Sequence, residues 1–109
     1  MDPEFYAFVR YLRQKFPHPR GKPIIVRTRY MSTLYGSCNS TFYQCRITIS
    51  NEQEHNFAIE SLCHEWAHML DCKNWREDFK EEHRTSWGKH YARVYRSYWK
   101  FLKEYKSGA

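Results

Sequence analysis

His64, Glu65 and His68 stand in the stretch His64-Glu65-Trp66-Ala67-His68, an H-E-x-x-H pattern. Four residues make about one turn of a helix, so two imidazoles at this spacing project from one face while Glu65 stands beside them and not in line. Such a pair suits a zinc ion, and the offset carboxylate suits taking a proton from water activated there. The chemistry implied is metal-assisted hydrolysis, with the peptide bond as the substrate this pattern serves. Only three positions are fixed, however, and a lone pair of helical histidines is more often an ordinary core or surface feature. The pattern therefore carries weight only through the element that presents it.

That element reads as a helix from about Asn51 to Asp71. Asn51 followed by Glu54 has the form of a capping box, and Phe57, Ala58, Ile59, Leu62, Trp66, Met69 and Leu70 supply the apolar residues of a largely buried helix. Two histidines and a glutamate on a buried helix are costly unless something satisfies them, and a bound cation does so. A catalytic zinc needs three protein ligands and one open position. Downstream, the third ligand can be drawn from His83, which is 15 residues past His68, from His90, or from Glu81 or Glu82. His18, between Pro17 and Pro19, and His55, at the start of the motif helix, are poorly placed for it.

The remaining elements follow from periodicity. Asp2 and Pro3 start a helix, in which Phe5, Phe8, Val9, Leu12 and Phe16 recur at helical spacing until Pro17 and Pro19 stop it. Lys22 to Tyr30 and Thr41 to Ser50 read as strands, the second from its alternation of Cys45, Ile47 and Ile49 with Arg46, Thr48 and Ser50. Gly36, Ser37, Asn39 and Ser40 read as the turn between them, making an antiparallel hairpin or meander. After the motif helix comes a polar connection over Lys73 to Thr85, with room for a short helical turn at Trp75 to Phe79. A last helix, Ser86 to Tyr105, carries Trp87, Tyr91, Val94, Tyr95, Tyr98, Phe101, Leu102 and Tyr105 on one stripe. The expected fold class is α+β: an N-terminal helix, a short antiparallel sheet, the motif helix and a long C-terminal helix.

The pairing of His64-Glu65-Trp66-Ala67-His68 with Glu82-His83-Arg84-Thr85-Ser86-Trp87-Gly88-Lys89 resembles the SprT-like zinc metalloproteases, the Spartan or Wss-type group. In that family a helical H-E-x-x-H is followed by a histidine, usually before glycine, that opens the next helix with an aromatic residue shortly after. Carried over by position, the resemblance implies a small zincin-like domain with one Zn2+. His64, His68 and His83 are then its ligands, Glu65 its general base, and Trp87 the aromatic at the helix start. Arg84 stands where glycine is usual. The order of elements agrees over most of the chain. The implied substrate is a protein or peptide, on DNA in this family, with DNA as a common activator. The expected oxyanion donor stays open among His90, Tyr91 and Tyr95, and the strand around Arg46 to Ser50 is the expected peptide-binding edge.

At 109 residues the chain makes one domain over 1–109, with 41% hydrophobic and 18% aromatic residues, a composition that packs and does not stay disordered. No apolar run approaches the roughly 20 residues that span a bilayer, and no signal-peptide stretch opens the chain, so an intracellular monomer, cytoplasmic, nucleoid or nuclear, is expected. The formal net charge of +6 is segregated. Eight Lys or Arg and no acid lie between Phe5 and Asn51, the middle is acidic, and Arg84, Lys89, Arg93, Arg96, Lys100, Lys103 and Lys106 follow with only Glu104 against them. Two basic blocks suit a polyanion, most plainly DNA, and basic helices with interleaved aromatics favour single strands; the plainer reading is the solvated face of two amphipathic helices. Four cysteines, Cys38, Cys45, Cys63 and Cys72, show no C-x-x-C spacing and are expected as thiols, with a structural disulfide between Cys38 and Cys45 across a hairpin as the lesser alternative. The competing functional reading is a zinc-stabilised module, without turnover, that binds nucleic acid or protein.

Overall fold

The computed structural model describes residues 1–71 and 85–108. Their order is α1 (Pro3–Lys15), β1 (Ile24–Arg29), β2 (Gly36–Ser40), β3 (Cys45–Ser50), α2 (His55–Leu70) and α3 (Thr85–Lys106), a small α+β fold. The polar connection expected over Lys73 to Thr85, with its possible helical turn, falls almost wholly outside the described residues.

Helix α1 forms as its sequence dictates. The Asp2 carboxylate accepts the Glu4 N–H at 2.7 Å, Pro3 occupies the first turn, and the Phe16 N–H closes the last turn on the Leu12 carbonyl at 2.8 Å before Pro17. Its stripe of Phe5, Phe8, Val9 and Leu12 is buried. Against it, α3 buries Val94, Tyr98 and Phe101; the Phe8 ring lies 5.0 Å from Tyr98 and 5.2 Å from Phe101. Along the rest of the expected α3 stripe, Trp87, Tyr91, Tyr95 and Leu102 are half-buried and Tyr105 is exposed.

The sheet corrects two expectations. Its order is β1-β3-β2, with β1 parallel to β3 and β2 antiparallel to β3 (Gly36↔Ile49 to Ser40↔Cys45), so it is mixed and not wholly antiparallel. The segment Gly36 to Ser40, read as a turn, is an edge strand. The actual turn is Thr41 to Gln44, where the Thr41 N–H reaches the Gln44 carbonyl at 2.8 Å and the Thr41 hydroxyl accepts the Tyr43 and Gln44 N–H groups. Small polar residues favour turns in isolation, but pairing with a buried neighbour overrides that preference. Strand β3 is central, and its inward residues Cys45, Ile47 and Ile49 are fully buried under the helices.

Two further corrections concern α2. Its N-cap is Glu54, without a side-chain bond to the helix, and the Asn51–Glu54 capping box does not form. The Asn51 N–H is used instead by the Arg29 carbonyl at 3.1 Å, prolonging the β1 ladder and displacing the helix start. Phe57, expected inside, points outward from the first turn and is exposed. The later turns of α2 are enclosed: Leu62, Cys63, Trp66, Ala67 and Met69 have no accessible surface. The Trp66 indole N–H donates to the Phe16 carbonyl at 2.9 Å, tying α2 to the end of α1. At the other end Glu4 accepts the Tyr98 hydroxyl at 2.8 Å and pairs with His55, which links all three helices. Among the described residues no helix is long and apolar enough to cross a membrane.

Candidate metal centre

Helix α2 presents His64 and His68 one turn apart with their ring centroids 4.9 Å from each other and the planes at 72°. Both rings are half-buried, whereas Glu65 between them in sequence is buried, with one carboxylate oxygen 4.0 Å from His64 Nε2. The three groups therefore meet on one side of the helix with the carboxylate offset from the imidazole pair. His64 and Glu65 border a cleft of about 390 Å³ walled also by Tyr35, Gly36, Glu60, Ser61 and Tyr91; His68, one turn further along, is not part of its wall.

Two neighbouring elements hold these side chains in place. From α3, Trp87 sets its ring 4.9 Å from His64 and 5.5 Å from His68, and its indole N–H donates to the His64 carbonyl at 3.3 Å. Tyr91 stacks on Trp87 at 5.2 Å and Tyr95 on Tyr91 at 5.8 Å, a ladder running down α3 from the imidazoles. Burial, with Cys63, Glu60 and Tyr95 contributing, pushes the Tyr91 phenol up to about 12, so it keeps its proton at neutral pH. From β2, Gly36 approaches so closely that a Cβ there would lie 3.2 Å from Glu65 Cγ, 3.1 Å from Ile49 Cδ1 and 3.3 Å from the Thr48 carbonyl oxygen.

Of the residues singled out from sequence, His64, Glu65 and His68 are brought together. His83, Glu81 and Glu82 lie outside the described residues. His90 is half-buried on α3 and is not part of the cleft wall. Tyr91, a candidate oxyanion donor, lines the cleft; Tyr95 is one turn further along. Cys63 precedes His64 but points into the core, where burial and then Glu60 push its thiol up, so it is no thiolate ligand. The expected peptide-binding edge is corrected: Arg46 to Ser50 belong to central β3, and the edge beside the cleft is β2. Gly36, Glu60 and Ser61 were not legible as site residues. A glycine within a turn-like run reads as a chain reversal, and nothing local signals that its missing side chain makes room for a carboxylate.

The donor set fits zinc as far as it is described, since two imidazoles stand one turn apart with their rings 4.9 Å from each other and a carboxylate to one side. Among the described residues no group of three His, Cys, Asp or Glu gathers closely enough to hold a metal ion. No family model matches the chain, and none of the curated proteins does.

Proposed function

We propose that this domain is a zinc-dependent endopeptidase of the SprT-like kind, in which His64, His68 and His83 hold the ion and Glu65 is the general base. The observation that carries the reading is that His64 and the buried Glu65 line one cleft bordered by a sheet edge, with the His68 ring 4.9 Å from that of His64 on the next turn. When bound, zinc supplies a Lewis acid that polarises a carbonyl and eases deprotonation of water. Glu65 takes the proton of the attacking water and returns it to the leaving nitrogen. Its burial, with Gly36 packed against its Cγ, narrows the positions open to the carboxylate and so reduces the reorganisation that accompanies the transfer.

The substrate is held along β2. The Ser50 N–H reaches the Tyr35 carbonyl and the Thr41 N–H reaches the Gln44 carbonyl, each at 2.8 Å, so in the antiparallel alternation Ser37 and Asn39 turn their backbone groups toward β3. Gly36, Cys38 and Ser40 turn theirs outward, available to an extended peptide by strand addition, with little dependence on its sequence. Support for action on DNA-associated proteins is the charge. A groove of about 350 Å³ between α1 and α3 is lined by Lys15, Arg93, Arg96 and Lys100 together with Tyr11 and Phe16, a surface suited to phosphates.

The deciding experiment is cleavage of a DNA-bound basic protein by zinc-loaded wild type and Glu65→Gln, with and without single-stranded DNA. Wild type is expected to cleave, the variant to lose a factor of about 10² to 10⁴ while binding zinc equally, and single strands to accelerate the wild type. Equal cleavage by both chains removes Glu65 as base. Stoichiometric zinc without cleavage by either replaces the enzyme with the zinc-stabilised binding module.

A further inference from the structure

The β2–β3 hairpin carries two thiols at diagonal positions. Cys38 is paired in register with Ile47 and Cys45 with Ser40, which places the two side chains on the same face of neighbouring strands. Their sulfurs are 3.7 Å apart. A disulfide needs about 2.05 Å, so closure asks for an approach of about 1.7 Å, a matter of side-chain rotation and slight strand twist. The surroundings of the two differ. Cys38 is half-buried and Cys45 fully enclosed, and the turn between them is short, with Phe42 and Tyr43 exposed at its tip.

We propose that Cys38 and Cys45 form a redox-active dithiol, which closes to an intramolecular disulfide by exchange with a low-molecular-weight disulfide such as oxidised glutathione. The accessible Cys38 thiolate attacks first, forming a Cys38–glutathione mixed disulfide and releasing one glutathione. Cys45, held beside it, then attacks the Cys38 sulfur and expels the second. The two thiols lose two protons and two electrons, and one oxidised glutathione becomes two reduced molecules.

Proximity favours the second step, since the Cys45 sulfur lies 3.7 Å from the sulfur it attacks. In the free dithiol the Cys38 S–H donating toward Cys45 holds Cys45 below the usual thiol range against the opposing effect of burial, with the Lys22 ammonium acting in the same direction; once Cys38 carries glutathione that donor is gone and Lys22 alone opposes burial. Lys22 is itself kept at this end of the hairpin by the Thr41 carbonyl, at 2.7 Å. Cys63 offers the opposite case within the same molecule, a thiol sealed in the core and pushed up by its burial. The disulfide joins edge strand β2 to central strand β3 two residues from Gly36, and so modifies the strand that borders the cleft. The thiol chemistry itself does not depend on what the cleft does.

The test uses the full chain, equilibrated in glutathione buffers of increasing oxidation, quenched with an alkylating agent and mapped by peptide mass spectrometry. Wild type is expected to give a linked Cys38–Cys45 peptide without retained glutathione, while Cys63 stays reduced. Cys45→Ser is expected to accumulate glutathione on Cys38, and Cys38→Ser to leave Cys45 unmodified while folded. Stable glutathione on wild-type Cys38, a link from either residue to Cys63 or Cys72, or two thiols still alkylatable in the most oxidised buffer overturns the proposal. Mapping of the wild type decides the matter even if a variant fails to fold.

Discussion

Gly36 and His18 place measurable constraints on single side chains. At Gly36 an added methyl meets Glu65 Cγ and Ile49 Cδ1, which can shift, and the Thr48 carbonyl, which cannot. Gly36→Ala is therefore expected to cost about 1–3 kcal/mol in urea unfolding. In the proposed enzyme it lowers kcat by displacing the base and raises KM as well, because Gly36 also offers its backbone to the substrate. Adding Ile49→Val should restore part of both; a Gly36→Ala protein as stable and as active as wild type removes the close approach as a constraint. His18 is buried, accepts the Arg20 N–H at Nδ1 at 3.0 Å, and is held below the usual imidazole range by burial first, then by Lys22 and Arg20. The unfolded chain takes up a proton here near pH 6.5 that the folded chain refuses. Its contribution to stability is thus complete above about pH 6.5 and declines as the pH falls below it. Wild type should lose more stability between pH 7.5 and 5.5 than His18→Gln, and parallel losses would refute this. At this scale His64, Glu65 and His68 were legible because helical spacing alone places them. Gly36 was not, because its role depends on a helix that follows it in the chain.

The helices were legible and the sheet only in part. Phe5, Phe8, Val9 and Leu12 mark α1 by period, and Asp2 and Pro17 mark its ends, because a helix is specified by residues close in sequence. Strand partners are not local. Nothing in Ile24 to Arg29 says that its neighbour is Cys45 to Ser50 in parallel, or that five small and polar residues supply the outer strand. The capping box failed for the same reason, since Arg29 claims the Asn51 N–H from a distance. What fixes α2 on α1 is the Trp66 indole on the Phe16 carbonyl. Trp66→Phe keeps most of the apolar volume but strands that carbonyl in the interior. A loss of about 1–3 kcal/mol in urea unfolding is expected, and an unchanged midpoint would show the bond to be dispensable.

For the molecule as a whole, the segregation of charge in the sequence survives folding in one respect that it did not reveal. Lys15 comes from the first basic block and Arg93, Arg96 and Lys100 from the last, and the fold brings them to one groove, with the Arg93 guanidinium over the Phe16 ring at 5.3 Å. If single-stranded DNA lies there, four phosphate contacts give a slope of about −3 in log affinity against log salt, and Arg96→Ala with Lys100→Ala should roughly halve it, measured by fluorescence anisotropy. An unchanged slope would place DNA elsewhere or nowhere on this domain. The sheet order has a separate consequence for synthesis on the ribosome. The outer strands β1 and β2 come first and do not touch each other; both pair only with β3, the last strand made. A nascent chain that has emerged only as far as residue 44 holds two strands with no mate. The sheet closes at once when Cys45 to Ser50 appears, immediately before the helix that carries His64, Glu65 and His68.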